Sequence, residues 1–174
     1  MAEIREATRD DASEILRLHI ASIRAFGPDA YDETQVEAWA EKDDGTRGYP
    51  IDTPGHYLVV AVNDGVVGYG HLVPENDEVR AVYVHPDAAR NGIGSAILGH
   101  LEEYARGVGL TRLELWASRN AVEFYERMDY RPIAEEAVEK EHDGREVSIP
   151  VLVMRKSLND GDSILDEMPD ETYR

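Results

Sequence analysis

Residues 56–84 restrict the fold more than any other stretch. "HYLVVAV" (56–62) is an apolar run of strand length, "NDG" (63–65) is a hairpin signal, and "VVGYGHLV" (66–73) is the returning strand. "EVRAVYV" (78–84) adds a third strand before any helix begins. Repeating βαβ units cannot place three strands in a row. The expected fold is therefore α/β in content (α+β in order), a mixed and mostly antiparallel sheet with helices on both faces.

The other elements fit that frame. Residues 3–8 read as a strand and 9–26 as a helix, with Asp10 or Asp11 as its cap and Ala12, Ile15, Leu16, His19 and Ile23 on one face. A helix is expected over 33–42 and a loop over 43–55. A helix over 93–106 turns Ile93, Ile97, Leu98, Leu101 and Tyr104 to one side. A strand (111–117), a short helix (121–128) and two strands (130–138 and 147–156, joined by "HDG") complete about seven strands and four helices. This is one domain over 1–157, followed by an acidic tail over 158–174.

The chain holds 36 acidic against 18 basic residues, a net charge of −18, and its only lysines are Lys42, Lys140 and Lys156. Such a field repels nucleic acid and anionic membranes. The acids are spread along the whole chain, which points to a halophilic surface adapted to high internal salt, although a cationic partner would also suit it. At molar salt the screening length is roughly 3 Å, so global charge hardly opposes an anionic ligand. No run approaches membrane-spanning length, the charged N-terminus is no targeting signal, and cysteine is absent. A cytoplasmic protein without disulfides or thiolate metal sites is expected. The histidines have no ligand spacing, so no metal is expected.

"HPDAARNGIGSAILGHL" (85–101) sets two glycines, Gly92 and Gly94, at the mouth of an apolar helix. That arrangement suits a phosphate, because a helix N-terminus offers unpaired N–H groups and partial positive charge. No Gly-Lys-Ser/Thr is present, which excludes a nucleotide P-loop, and Ile97 occupies the third glycine position of a dinucleotide fingerprint. A third device to weigh beside these two is the pyrophosphate cradle of coenzyme A.

"VYVHPDAARNGIGSAIL" resembles motif A of the GCN5-related N-acetyltransferase superfamily, and "ASRNAVEFYERMDY" (117–130) resembles its N-x-x-x-F-Y motif. "IREATRDDASEILRLH" resembles the family's first strand and helix, so the resemblance spans about residues 3–157. It implies an acyl-CoA N-acyltransferase fold and an enzyme that moves the acetyl group of acetyl-CoA to a primary amine by direct attack in a ternary complex. A small metabolite is the favoured acceptor and a protein amine the second. Many family members are dimers, and a homodimer is among the assemblies the resemblance allows. The rival readings are a non-catalytic acyl-CoA sensor and a nicotinamide-binding protein.

By the same resemblance, Val82, Tyr83 and Val84 run along the pantetheine arm, and Ala89, Arg90, Asn91, Gly92, Ile93, Gly94 and Ser95 cradle the pyrophosphate. Ala89 departs from the usual Gln/Arg, at a position that contributes mostly backbone. Asn120 would contact pantetheine or cap a helix. Tyr125 would be the general acid for the leaving thiolate, or an interface residue. Glu78 aligns with the base of the histone-acetylating branch, and a water chain is its alternative. On a regular strand Glu78 shares a face with Arg80, Val82 and Val84. His71 and Tyr83 are weaker candidates, and the Val84 N–H could polarise the thioester. Arg80 would suit an acceptor carboxylate or pair with a nearby acid. Ile23, Phe26, Tyr31 and Trp39 are either acceptor pocket or core. Asp129 replaces the family's glycine at a left-handed position that Asp tolerates.

Overall fold

The structure is a computed structural model and describes residues 2–159. The expected acidic tail lies, from residue 160 onward, outside the described residues.

Among the described residues, seven strands and four α-helices follow in the expected order. They are β1 (Glu3–Glu6), α1 (Ala12–Phe26), α2 (Glu33–Ala40), β2 (Tyr57–Val62), β3 (Val66–Val73), β4 (Glu78–Val84) and α3 (Ile93–Gly107), then β5 (Arg112–Ser118), α4 (Val122–Arg127), β6 (Arg131–His142) and β7 (Arg145–Ser157). The sheet runs β1-β2-β3-β4-β5-β7-β6, and among the described residues only the pair β4–β5 is parallel.

Strand alternation splits the core in two. Val59 and Ala61 of β2 join Ile97, Leu98 and Leu101 of α3, whereas Leu58 and Val60 join Ile15 and Leu18 of α1. On β3, Gly68 and Gly70 let α3 lie close, since a Cβ at Gly70 would come within 2.5 Å of Ile97. Tyr69 between them points to α1, where it meets His19. α2 covers the far end of that second face, with Val36 and Ala38 against Val147 and Ile149 of β7. Behind α3, Glu102 is buried with the Tyr130 hydroxyl at 2.8 Å and the Lys156 ammonium at 3.1 Å, an ion pair with a third partner.

Several local expectations are corrected. Asp11 occupies the α1 N-cap without capping it. Its carboxylate turns back to the Thr8 N–H and to Arg5, both at 2.8 Å. Leu18, rather than Leu16, lies in the fully buried stripe, because α1 is buried between the sheet and residues 49–51. The 43–55 segment is the expected loop, with one 3-10 turn over Gly45–Gly48, and it sends Tyr49 and Ile51 into the core. Tyr104 is exposed and stacks on Tyr57 with ring centroids 3.7 Å apart. β6 and β7 extend to His142 and Arg145, where Asp143 and Gly144 (φ 52° and 75°) make a tight turn that continues the ladder. Asp129 takes the expected left-handed conformation, φ 72°.

Candidate active site

β4 and β5 share one register pair, Glu78 with Glu114, and then part. The gap between them opens into a cleft of about 450 Å³. The rest of β4 stays paired to β3, with Val84 opposite Gly68 and Val82 opposite Gly70. His85 N–H donates to Val67 O at 2.8 Å. Bonding alternates along an antiparallel ladder, so Val82 and Val84 turn their N–H and C=O groups to the other edge, into the fork. Val82, Tyr83 and Val84 all line the cleft.

A bulge at Arg80 changes which residues share a face. His71 pairs with Ala81 and Leu72 with Val79, which leaves Arg80 as the extra residue. Val79, Val82 and Val84 therefore pack on the α3 side, while Ala81 and Tyr83 face α1. The expectation that Glu78 shares a face with Val82 and Val84 fails for this reason. Glu78 lies on the α1 side with Arg80, whose Nη2 and Nε donate to its carboxylate at 2.8 and 3.2 Å. Partial burial pushes the Glu78 carboxyl upward, but the Arg80 hydrogen bonds and charge, helped by Asn76, hold it below the usual carboxylate range. Glu78 stands at the root of the fork, outside the cleft lining. His71 is buried beside it, hydrogen-bonded to His56 at 3.0 Å, and burial depresses its pKa to about 4.

The start of α3 forms the second wall. Gly92 is left-handed at φ 78°, and so is Arg90 at φ 66°, a conformation unusual for a residue with a side chain. A Cβ at Gly92 would meet nothing within 4 Å, so this glycine serves backbone shape and an open surface. A Cβ at Gly94 would lie 3.3 Å from the Phe124 ring, so this one lets α3 approach α4. The first helical bond is Ala96 N–H to Gly92 O, and the N–H groups of Ile93, Gly94 and Ser95 come before it without a helical acceptor. Ala89, Arg90, Gly92, Gly94 and Ser95 line the cleft. Asn91 and Ile93 do not: the Asn91 amide folds back onto Ala88 O, and the Ile93 side chain is core.

The 3-10 turn Arg119–Ala121 and α4 close the cleft with Asn120 and Tyr125. The α4 N-cap position is Ala121, so Asn120 is not the cap, and its side chain is exposed in the cleft. Tyr125 is 7% exposed, packed against Phe124 and Tyr130. Burial raises its pKa, which keeps the phenol protonated. Tyr83 behaves likewise, chiefly through burial, with its ring 4.2 Å from that of His19.

Of the acceptor candidates, Phe26 lines the cleft, while Ile23, Tyr31 and Trp39 belong to the core beside α2. Tyr31 is a strap, donating to Pro150 O at 2.6 Å and accepting the Arg119 N–H at 2.9 Å. The sequence reading missed Ser22, Asp29, Trp116, Ser118 and Arg127, which also line the cleft. Trp116 carried a usable signal. Leu113, Leu115 and Ala117 alternate inward on β5, so a tryptophan on the polar phase between them marks an exposed aromatic with a task.

Comparison with known proteins agrees with this geometry. The model of the acetyltransferase (GNAT) family matches residues 15–130. An uncharacterized N-acetyltransferase of Methanocaldococcus jannaschii is 30% identical over 139 residues, covering 73% of this chain and 59% of that protein. A mycothiol acetyltransferase of Stackebrandtia nassauensis is 33% identical over 108 residues, 60% of this chain and 33% of that protein. The chain thus spans between one third and three fifths of the length of these curated relatives. A GCN5-related N-acetyltransferase from Rhodopseudomonas palustris superposes with a TM-score of 0.81 at 28% identity, covering 90% of this chain and 96% of that one. The PaiA N-acetyltransferase of Thermoplasma acidophilum, solved in complex with coenzyme A, shares the fold with a TM-score of 0.67 at 18% identity, covering 90% of this chain and 99% of that one.

Proposed function

The chain belongs to the acetyltransferase (GNAT) family, and from that premise we propose that it moves the acetyl group of acetyl-CoA onto a primary amine by direct attack in a ternary complex. The observation that carries this reading is the fork after Glu78–Glu114, opening beside the glycine-led start of α3. An extended thioester arm and a pyrophosphate need those two surfaces side by side.

The residues present fit acetyl-CoA. The pantetheine arm bonds the free edge of β4 at Val82 and Val84. The amides from Gly92 to Ser95 receive the pyrophosphate, reinforced by the helix dipole and the Arg90 charge. Asn120 hydrogen-bonds the arm, and the Val84 N–H polarises the thioester carbonyl. Asn91 and Ile93 contribute main chain only.

Tyr125 donates a hydrogen bond to the departing sulfur. A phenol (pKa about 10) is a weaker acid than a thiol (about 8.5), and burial raises Tyr125 further. Its contribution is therefore position more than acidity. The acceptor must shed a proton, and Glu78, held ionised by Arg80, receives it through water because it stands outside the cleft lining. The enzyme works in the cytoplasm of a cell with high internal salt, which the dispersed excess of 36 acids over 18 bases supports.

The test is thiol release from acetyl-CoA with a panel of amines in molar KCl. Amine-dependent release supports transfer. Thermal stabilisation by CoA without release from any amine supports an acyl-CoA-binding module instead, and stabilisation by a nicotinamide dinucleotide alone overturns the CoA reading.

A further inference from the structure

The cleft runs through the sheet, and the cradle uses only its α3 side. Its α1 side has a different lining. Glu114, Trp116 and Ser118 alternate with the inward Leu113, Leu115 and Ala117, so Trp116 stands on the α1 face, 51% exposed. Phe26, at the end of α1, and Asp29, just beyond it, line the same cleft. Among the described residues, Phe26 and Trp116 contact neither each other nor a third aromatic ring. A half-exposed tryptophan and a phenylalanine in the lining of one cleft offer apolar surface to an aromatic group seated there.

The charges on this face are equally selective. Arg80 could have anchored an acceptor carboxylate, but its guanidinium is bound twice by Glu78. Glu114 is likewise neutralised by Arg155 at 2.7 Å. Asp29 is the carboxylate in the cleft lining, and it has no ion pair among the described residues. An anionic acceptor on this side would meet the Asp29 carboxylate at close range. A cationic acceptor is attracted by Asp29 and by the Trp116 face.

We propose that the α1 side of the cleft is an acceptor subsite for a primary amine that carries an aromatic body and no carboxylate, with Trp116 and Phe26 packing the body and Asp29 rejecting acids. The proposal rests on the acetyl-transfer reading. The amine nitrogen forms the new C–N bond as the C–S bond breaks. The cationic amine loses two protons in all, one to Glu78 through water to free its lone pair and a second as the amide forms, while the departing sulfur gains one, giving an amide, free CoA thiol and one proton released to solvent.

The experiment compares 2-phenylethylamine, ethylamine and phenylalanine as acceptors, with Trp116→Ala and Asp29→Asn alongside the wild type. We expect 2-phenylethylamine to exceed each of the others in kcat/KM by about tenfold or more, the scale on which an apolar pocket discriminates. Trp116→Ala then lowers the ratio of 2-phenylethylamine to ethylamine about tenfold, mainly through KM, and Asp29→Asn narrows the gap to phenylalanine. A second readout needs no turnover. With CoA present, 2-phenylethylamine should change tryptophan emission saturably in the wild type and not in Trp116→Phe, which retains only Trp39. Saturable emission change without thiol release supports the subsite and overturns the transfer reading. Release that is equal for ethylamine and 2-phenylethylamine, with no emission change, overturns the subsite and leaves transfer standing.

Discussion

Glu78 faces Glu114 in the one register pair that joins β4 to β5, and past it the two parallel strands separate. Like charges directly opposite destabilise a pair of strands. Here each carboxylate has its own arginine, Arg80 at 2.8 Å and Arg155 at 2.7 Å, so the root of the fork is closed by two neutralised pairs.

Removing Arg80 should change the pH dependence of the reaction. The guanidinium holds the Glu78 carboxyl low. In Arg80→Gln the Glu78 pKa rises, and the acid limb of kcat/KM moves to higher pH. In Glu78→Gln the limb disappears and kcat/KM falls roughly 100-fold at neutral pH. Rate profiles of the two variants check both signs, and an unchanged limb in Glu78→Gln would remove Glu78 from proton transfer.

Tyr125→Phe deletes one oxygen from a packed ring and should leave the fold intact. We expect kcat to fall about 10- to 100-fold while stabilisation by CoA is retained. Because burial raises the Tyr125 pKa above its ordinary 10, the wild type should show no alkaline loss from this group below pH 10. Steady-state kinetics with thermal melts separate the two effects. Equal kcat in both proteins would make Tyr125 a packing residue.

Gly92 and Gly94 should fail differently. Gly92→Ala puts a side chain at φ 78°, costing about 1 kcal/mol in a urea melt, and weakens CoA binding. At Gly94 φ is ordinary, and the new Cβ would press on Phe124 at 3.3 Å. Gly94→Ala should therefore disturb CoA binding through α4. Titration calorimetry alongside the melts distinguishes strain from contact.

His71 makes stability depend on pH. Burial, with Arg80 and His56, lowers its pKa from 6.5 to about 4. Between those values the unfolded chain binds a proton that the folded chain refuses. Stability therefore falls as pH drops through this window, by at most about 1.4 kcal/mol per pH unit for the one proton, and is unaffected above it. His71→Gln should flatten the slope between pH 6.5 and 5, leaving the contribution of His19, whose pKa burial also lowers. Melts of both proteins at pH 7.5, 6 and 5 measure the difference.

The sequence by itself determined the element order, the glycine-led helix and the Asn120–Tyr125 segment. These depend on local terms: three-strand succession, the "NDG" turn, apolar spacing, and the need for bare backbone at a helix start. Even Asp129 could be read, since its left-handed conformation is a property of one residue and its neighbours.

Tertiary structure alone decided what those elements enclose. Alternation along a regular strand puts Glu78 on the face of Val82 and Val84. The bulge at Arg80, imposed by pairing with His71 and Leu72, moved it to the other face. Sequence leaves Tyr31 open between pocket and core, and the choice is made by its hydroxyl, which ties Pro150 to Arg119, residues far along the chain. Trp116 became half of a cleft wall only because β5 leaves β4 after one register pair. Periodicity fixes which way a side chain points from its own strand. Where two strands part, and what stands across the gap, depends on contacts between distant residues.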